Sequence, residues 1–301
     1  MPDIVIYFNA LSSRARRFAR HYEAYFEAYF LSQQNAGSVV VLPSSASRHH
    51  DIGLLREACQ TASECVVIGG DGSVNIVANV VVKTSVKLTV IPVGTGNDFA
   101  RDHGLCNWRW RMRKPITTSK ECLGVANTCY FVNHVGTGLS VDLMHLQPAW
   151  LKQSAGRLSY SIALLRYLFG SFNHRSRVHH EQHWDDGQIV ALGRYIGGGI
   201  PVHPNANRGK GVMARIGIPQ MQRWAQLKAL LRVMQNKVEQ TPALEFSTGK
   251  QFSIGDSEHP VELDGDIHFQ GPVSVSVLTE AIYVTVPAGY GQRLGFERTG
   301  E

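Results

Sequence analysis

The sequence lacks the cysteine pattern of a secreted, disulfide-bonded protein. Its 301 residues include five cysteines, an odd number, and no two of them have C-x-x-C spacing. They are scattered at Cys59, Cys65, Cys106, Cys122 and Cys129. This usage favours reduced thiols in a cytoplasm over a disulfide framework. Without paired cysteines or a recognisable histidine pattern, a structural zinc site is not expected.

Long apolar runs are also lacking. No uncharged apolar segment reaches the length of a membrane span, and the N-terminal residues show no basic region ahead of an apolar stretch. The sequence contains no low-complexity tract and no clear internal repeat. We therefore expect a cytoplasmic globular protein, at most peripheral to the inner face of the membrane.

Acidic residues are in the minority. The chain has 24 Asp and Glu against 30 Lys and Arg, which gives a formal net charge of +6. This balance predicts an anionic partner, either a nucleotide, a nucleic acid or a membrane surface. A nucleic-acid partner would account for the charge but not for the paired glycine turns described below, so none is expected.

Apolar runs and helical patterns alternate through the first third of the chain. Strands are predicted at residues 4–8, 39–42, 65–68 and 87–91. Helices are predicted between them, the first burying Phe18, Tyr22, Tyr25 and Tyr29, and the second running through Leu55, Cys59 and Ala62. This order predicts a parallel α/β sheet with crossover helices. Ligands of such sheets bind at the carboxyl ends of the strands.

A glycine-rich turn, Gly-Gly-Asp-Gly at residues 69–72, follows the third strand and precedes an amphipathic helix that starts near Val74. Glycine allows a ligand to approach the backbone closely, and the helix N-terminus attracts an anion. A carboxylate inside such a turn can orient a metal ion. The motif by itself also fits an ordinary turn between a strand and a helix.

A second turn of the same chemistry follows the fourth strand. It reads Pro-Val-Gly-Thr-Gly-Asn-Asp-Phe-Ala-Arg at residues 92–101 and again combines glycines, a hydroxyl, an amide and a carboxylate. Two such turns, each ending a strand of one sheet, are much more specific than either alone.

Together the two turns resemble the signatures of the diacylglycerol kinase catalytic-domain family, which includes bacterial lipid kinases and sphingosine kinases. The resemblance extends along most of the chain. Four further segments are similar to family motifs: Asn9–Ser13, Phe131–Asn133, Gly197–Gly199 and Glu262–Asp266. It implies ATP-dependent phosphorylation of a primary hydroxyl on a lipid such as diacylglycerol or a sphingoid base, as a step of lipid metabolism and phospholipid biosynthesis.

The resemblance also implies two domains. We expect residues 1–127 to form a parallel α/β nucleotide-binding domain, and residues 128–286 to form an antiparallel β-rich domain that binds the lipid substrate. Residues 287–301 are expected to return to the first domain, as in relatives. Alternating apolar residues at 273–277 and 282–286 independently predict two strands.

Site residues follow from the resemblance, with ATP and Mg²⁺ as cofactors. The nucleotide-binding set is Gly69, Gly70, Asp71, Gly72, Ser73, Asn75, Gly94, Thr95, Gly96 and Asn97, with Asn9 and Ser44 on adjacent strand ends. Asp71 and Asp98 would organise the Mg²⁺. The catalytic set is Asp266, Asp264 and Asp71, with Asp266 at the position of the family's proposed proton acceptor. Asp-Gly-Asp is also an ordinary hairpin-turn sequence.

Several positions depart from the family pattern. Ile76 replaces a usual glutamate, Asp266 replaces another, and Gly209-Lys210-Gly211 stands where bacterial relatives bind a structural Mg²⁺. We hypothesise that the Lys210 ammonium takes the place of that ion. The departures leave two alternatives to a lipid kinase open: a weak or inactive nucleotide- or lipid-binding homologue, and a kinase of NAD or another soluble metabolite. The second turn favours the lipid branch.

Two stretches are candidates for contact with an anionic membrane. Trp108–Lys114 alternates aromatic residues with cations, which suits a headgroup layer, although a surface loop has the same pattern. Leu158–Phe172 is strongly apolar and fits an amphipathic helix at a lipid cleft or interface, or a buried helix of the second domain.

Overall fold

A computed structural model describes residues 3–34, 37–105, 107–113, 115–138, 140–141, 187–201, 206–219, 223–235, 237–256 and 260–290. The predictions for Leu158–Phe172, for Lys114 and for residues 291–301 lie outside these ranges. The chain divides into two compact units. The first comprises Met1–Cys122 and Glu280–Glu301, and the second comprises Leu123–Thr279.

The first unit alternates strands and helices. Its elements are β1 (Asp3–Phe8), α1 (Ser13–Ser32), β2 (Val39–Pro43), α2 (Arg48–Ala58), β3 (Ala62–Gly69), α3 (Asp71–Val81), β4 (Lys87–Pro92), α4 (Asp98–Asp102) and α5 (Trp110–Arg113). The strands pair in the order β2-β1-β3-β4, all parallel. β1, β3 and β4 are apolar and buried along most of their length, as expected of a parallel sheet covered by helices.

The buried face of α1 differs from the prediction. Phe18 and Tyr22 are buried as expected, but Phe26 and Phe30 complete the buried stripe. Tyr25 is half-buried, and Tyr29 is 50% exposed. Two aromatic stripes run side by side on this helix, and both have helical spacing. Packing in the folded unit therefore decides which stripe is buried, and the spacing alone could not decide this.

The second helix was predicted too long. α2 ends at Ala58, and Cys59 is its C-cap, with its N–H donating to Leu55 O at 2.8 Å. Ala62 is already the first residue of β3, where it pairs with Asp3. Leu55, Cys59 and Ala62 therefore do not share one helix, although their apolar spacing is helical. The three residues span the end of a helix and the start of a strand.

The second unit is mainly antiparallel. Its elements are the end of β5 (Ile116–Ala126), β6 (Cys129–Phe131), β7 (His134–Thr137), β8 (Gly187–Ala191), β9 (Tyr195–Ile196), β10 (Ile200–Pro201), β11 (Met213–Ile218), α6 (Arg223–Met234), β12 (Glu245–Gly249), β13 (Gln251–Ile254), β14 (Pro260–Leu263), β15 (Asp266–Gln270) and the start of β16 (Val273–Pro287). A six-stranded sheet runs β12-β11-β8-β7-β14-β15. Phe131, Val135 and Val261 are among the fully buried core residues of the second unit. The two units confirm the predicted fold class.

The two strands predicted near the C-terminus form one long strand, β16. Its buried valines at 273 and 275 alternate in one phase, whereas Val284 and Val286 alternate in the other. Glu280 has a φ of 49°, in the left-handed region, and this residue resets the alternation. The end of β16 pairs in parallel with β4.

The chain passes between the units within β5 and within β16. The boundaries expected from the sequence, at 127/128 and 286/287, lie close to the ends of these two strands. Within the described ranges, no helix combines the length and the apolar character needed to cross a membrane.

Candidate functional site

The first glycine turn leads directly from β3 into α3. Gly70 is the N-cap and makes no side-chain cap hydrogen bond, so the first amides of α3 depend on other acceptors. Apart from the chain neighbours of Gly72 and the backbone of its own helix, no atom of the described residues lies within 4 Å of the position that a Cβ on Gly72 would take. This position therefore opens onto free space beside a helix N-terminus, where an anion is favoured.

The second glycine turn lies against the first. Val93 N and Gly94 N both donate to Gly69 O, at 3.1 and 3.3 Å. A Cβ on Gly94 would overlap the Cα of Gly70, so the contact between the turns requires glycine there. The Asn97 amide accepts from Gly94 N at 2.9 Å and donates to Gly94 O at 2.6 Å, which fixes the loop.

Asp71 connects the two turns. Its carboxylate accepts from Asp98 N at 3.1 Å and from Phe99 N at 3.0 Å. The residue before α4, Asn97, makes no side-chain cap hydrogen bond, so Asp71 caps α4 from the neighbouring helix. The carboxylate of one predicted metal ligand, Asp71, thus contacts the backbone of the other, Asp98, whose side chain is buried.

Asp71 and Asp98 are the residues that would hold a metal ion here. In the part of the chain that the structure describes, no group of three or more His, Cys, Asp or Glu is arranged to hold one. Two neighbouring acidic residues would suit a hydrated Mg²⁺ brought by the phosphates of a nucleotide, and such a site stays a prediction. They do not form a dedicated protein cage.

The three predicted strand ends converge. Asn9 N donates to Ile68 O at 3.1 Å, and Ala10 N donates to Ser44 Oγ at 3.0 Å. The Asn9 Cβ lies 3.9 Å from the position of a Cβ on Gly69, and the Ser73 side chain lies closer still to that position. Parallel strands β2, β1 and β3 therefore bring Asn9, Ser44 and the first glycine turn together.

Other predicted nucleotide ligands have structural partners. Asn75 is buried, and its Oδ1 accepts from the Arg48 guanidinium and, at 3.0 Å, from Asn79 Nδ2, so it links α2 to α3. Thr95 and Gly96 are half-buried in the second turn, where the Arg101 guanidinium donates to Gly96 O at 3.3 Å. Contacts of these residues with a nucleotide stay predictions.

The Asp-Gly-Asp motif of the second unit forms a tight hairpin turn. Asp264 and Gly265 join β14 to β15 with φ values of 50° and 92°, which is the geometry of a type I′ turn. The Asp264 carboxylate accepts from Val132 N and Asn133 N, both at 2.7 Å, and from His134 N at 3.0 Å. Asp264 therefore anchors the hairpin, while Asp266 is exposed at the start of β15.

Glu262 holds the same hairpin; it lies in the motif segment Glu262–Asp266, but no role was predicted for it. Its side chain is 1% exposed. Glu262 Oε1 lies 3.1 Å from His134 Nε2 and accepts from the Ser140 hydroxyl, and Oε2 accepts from Gly265 N at 2.9 Å. Burial raises the pKa of Glu262, but His134, Ser140 and the Gly265 amide together hold the pKa below its ordinary value. Because side chains alternate between the two faces of a strand, Glu262 is expected on the face opposite its apolar neighbours. The alternation therefore did not indicate that its side chain is buried.

A buried cation, Arg208, directly precedes the Gly209–Gly211 segment. Its side chain is 4% exposed, and its guanidinium lies 3.5 Å from Asn133 Oδ1. Lys210 is exposed and ends a short 3-10 turn whose cap is Asn207. That Lys210 replaces a structural ion therefore stays a hypothesis, and Arg208 is the cation inside this part of the fold.

The sequence matches two family models in chain order. Residues 6–120 match the diacylglycerol kinase catalytic domain, and residues 134–286 match the YegS C-terminal NAD kinase beta sandwich-like domain. The chain is 25% identical over 254 residues to a "Probable lipid kinase YegS-like" of Chromohalobacter salexigens, covering 78% of this chain and 80% of the relative. It is 28% identical over 234 residues to a "Putative lipid kinase" of Staphylococcus epidermidis, covering 72% of this chain and 74% of the relative.

The fold is also similar to solved structures. A crystal structure described as a putative diacylglycerol kinase from Bacillus anthracis str. Sterne superimposes with a TM-score of 0.72 at 17% identity and covers 96% of both chains. A second structure with a similar description gives a TM-score of 0.69 and covers 94% of this chain. At this identity the likeness supports the fold alone.

Proposed function

This chain belongs to the diacylglycerol kinase catalytic-domain family of lipid kinases, and we propose that it transfers the γ-phosphate of ATP to a primary hydroxyl of a lipid. Diacylglycerol and sphingoid bases are the substrate class, since each offers such a hydroxyl on an apolar body. In this reaction the lipid oxygen forms a bond to the γ-phosphorus, the bond to the ADP oxygen breaks, and the hydroxyl proton passes to a base.

The contact between the two glycine turns carries the proposal. Phosphoryl transfer depends on positioning and charge stabilisation more than on covalent chemistry. The turns provide an open position at Gly72, the amides at the start of α3 and the fixed loop around Gly94. These groups suit the phosphates of a nucleotide. Mg²⁺, bound with the phosphates near Asp71 and Asp98, would neutralise their negative charge.

Asp266 is the proposed proton acceptor. It is exposed, so a substrate hydroxyl can reach its carboxylate. The two other carboxylates of the hairpin are occupied, Asp264 by backbone amides and Glu262 by His134, Ser140 and Gly265. Their part in the proposal is to fix the turn that precedes Asp266, which limits the positions that its carboxylate can take.

A second candidate is a homologue that binds a nucleotide or lipid without turnover. It is favoured by the hydrogen bonds of Asp71 and Asp264, because two of the three proposed catalytic carboxylates already accept backbone N–H groups. A kinase of NAD or another soluble metabolite is tested by the same experiment.

The decisive experiment follows labelled phosphate from ATP and Mg²⁺ into a panel of lipids in neutral mixed micelles, and into NAD in their absence. We expect a labelled lipid from the wild type and none from Asp266→Asn. Glu57→Gln, which neutralises an exposed carboxylate on α2, is the matched control and should retain wild-type turnover. Labelled NAD would establish the soluble-substrate alternative. No product with retained ATP binding would establish the binding protein.

A further inference from the structure

A buried carboxylate lies beside the loop that follows β2. Asp51, in the first turn of α2, is 3% exposed. A carboxylate is costly to remove from water unless hydrogen-bond donors replace the water. Burial raises the pKa of Asp51, but hydrogen bonds from Ser45 and Tyr7 hold the pKa below its ordinary value. Asp51 is therefore a charged acceptor inside the first unit.

The donors to Asp51 come from two different elements. The Tyr7 hydroxyl on β1 donates to Asp51 Oδ2 at 2.7 Å. Ser45, in the loop after β2, donates to the same carboxylate with its N–H at 3.0 Å and with its hydroxyl at 2.6 Å. Tyr7 is buried, whereas Ser45 is exposed. Asp51 therefore links an exposed loop residue to a buried strand.

This link holds the loop more than it builds the core. Because Ser45 is exposed, water could satisfy its polar groups, and a loop that only joined β2 to α2 would need no buried carboxylate. Connecting loops are ordinarily the mobile parts of a fold, and those that a rigid scaffold fixes are often the ones that bind a ligand. The link therefore indicates a loop that must keep one position.

Two predicted nucleotide ligands adjoin the ends of the link. Asn9 follows Tyr7 by two residues, and Ser44 directly precedes Ser45. Asn9 Oδ1 and Ser44 Oγ each accept one backbone N–H at 3.0 Å. Within the described ranges, the Asn9 side-chain N–H groups and the Ser44 O–H donate to no protein acceptor. Both side chains therefore keep donors for the acceptor oxygens of a ligand.

We propose that Asp51 is a positioning residue for nucleotide binding, which fixes the loop after β2 so that the Ser44 hydroxyl is held beside Asn9 for the nucleotide. The proposal rests on the proposed function, since it takes ATP as the ligand. Asp51 itself does not touch the nucleotide. It acts through Ser44, because a loop that is already ordered loses less freedom when the ligand binds.

The affinity for ATP tests this role, measured by equilibrium titration with ATP and Mg²⁺ in the absence of lipid. Asp51→Ala releases the loop and should weaken ATP binding roughly tenfold, the value of about one hydrogen bond. Asp51→Asn keeps the shape and can still bond Ser45 and Tyr7, so it should bind ATP nearly as the wild type does.

The matched control is Glu64→Ala. Glu64 is another buried carboxylate of the first unit, and it accepts from the Arg111 guanidinium at 3.0 Å. Its removal should lower the unfolding temperature and leave the ATP affinity unchanged at temperatures where the variant is folded. Phosphate transfer at saturating ATP should be equal in Asp51→Ala and the wild type, because a residue that positions the loop changes KM for ATP and not kcat.

A double-mutant cycle separates positioning from general stability. Ser44→Ala removes the hydroxyl and should itself weaken ATP binding roughly tenfold. If Asp51 acts through Ser44, the double variant should bind ATP roughly tenfold more weakly than the wild type and not roughly a hundredfold, because no hydroxyl is left to position. Tyr7→Phe removes one donor to Asp51 and keeps the ring. It should weaken ATP binding by a smaller factor, and it tests the link if Asp51→Ala does not fold.

Three outcomes would overturn the proposal. They are wild-type ATP affinity in Asp51→Ala, additive losses in the cycle with Ser44→Ala, and a loss in Asp51→Asn as large as in Asp51→Ala, which would assign the effect to charge. A wild type that binds no ATP would refute the proposed function as well. If the wild type and its variants bind ATP as expected but no lipid is phosphorylated, the lipid kinase is refuted and the role of Asp51 stands.

Discussion

Gly72 shows how one missing side chain separates binding from stability. It lies in the first turn of α3 with open space at its Cβ position. Gly72→Ala should stabilise the fold by up to about 1 kcal/mol, because alanine favours the helix, yet weaken ATP binding about tenfold or more, because a methyl group would occupy the phosphate approach. Thermal unfolding and equilibrium titration with ATP measure the two effects.

Gly94→Ala is the contrasting variant. Its Cβ would overlap the Gly70 backbone, so we expect a loss of about 1–3 kcal/mol of stability, as for other overpacked sites. If Gly72→Ala bound ATP with wild-type affinity, the phosphates would have to lie somewhere other than the first glycine turn.

Glu262 makes a pH-dependent contribution to stability. Because its pKa is lowered in the folded state, this contribution is present above the pKa of the unfolded chain and is lost as pH falls through the folded pKa. Glu262→Gln keeps the shape but removes the charge facing His134. It should cost about 1–3 kcal/mol near neutral pH, and its difference from the wild type should shrink in acid. Urea unfolding of both proteins, measured from neutral pH into acid, tests the prediction.

The control for Glu262→Gln is Glu245→Gln. Glu245 is largely exposed and lies 3.6 Å from Arg215, so removing its charge should change stability by less than about 1 kcal/mol. A Glu262→Gln difference that stays constant as the pH falls would show that the lowered pKa does not stabilise the fold.

At the scale of elements, the sequence predicted what local pattern determines. β1 and β4 were placed nearly to the residue, because continuous apolar runs bounded by polar turns are typical of buried parallel strands. The predicted buried face of α1 was wrong, because two aromatic stripes lie side by side on this helix and both have helical spacing. The two alternating runs of β16 were predicted as separate strands, because their spacing shows the change of phase but not that one strand continues through Glu280.

The candidate site divides in the same way. The glycine turns were predicted because their chemistry is contiguous in sequence. The anchoring roles of Asp264 and Glu262 were not predicted. They depend on contacts with Asn133 and His134, which lie more than a hundred residues earlier in the chain. A catalytic role of Asp264 stays a prediction, and its carboxylate accepts hydrogen bonds from three backbone amides.

The cap of α4 gives a prediction for a single element. Asp71→Ala removes the acceptor of the Asp98 and Phe99 amides. The loss should be about 0.5–2 kcal/mol, as for other helix caps. These two amides should exchange hydrogen faster than in the wild type, and mass spectrometry of peptides that cover α4 measures this.

Ser12→Ala is the control, because Ser12 caps α1 by accepting from Ala15 N. It should destabilise the fold by a similar amount without raising exchange in α4. Unchanged exchange in Asp71→Ala would show that α4 does not depend on this cap.

At the scale of the whole molecule, the residues proposed for nucleotide binding and for proton transfer belong to different units. The glycine turns and Asp71 lie in the first unit, and Asp266 lies in the second. A ligand that binds only the folded state stabilises it by about 2.7 kcal/mol at a hundred times its Kd. ATP with Mg²⁺ should therefore raise the unfolding temperature of the wild type and of Asp266→Asn equally, because this substitution leaves the turns intact. Gly72→Ala should show a smaller rise.

These expected thermal shifts, measured beside phosphate transfer, separate nucleotide binding from turnover in the wild type and its two variants. Asp266→Asn should lose phosphate transfer to lipid while it keeps the whole thermal shift, because a proton acceptor acts on the lipid hydroxyl and not on the nucleotide. Gly72→Ala should lose part of both, since weaker ATP binding limits every later step. If Asp266→Asn lost the thermal shift as well, Asp266 would contribute to nucleotide binding, and the base would have to be sought among other residues. If it kept both shift and turnover, the exposed carboxylate of the hairpin would have no part in the reaction.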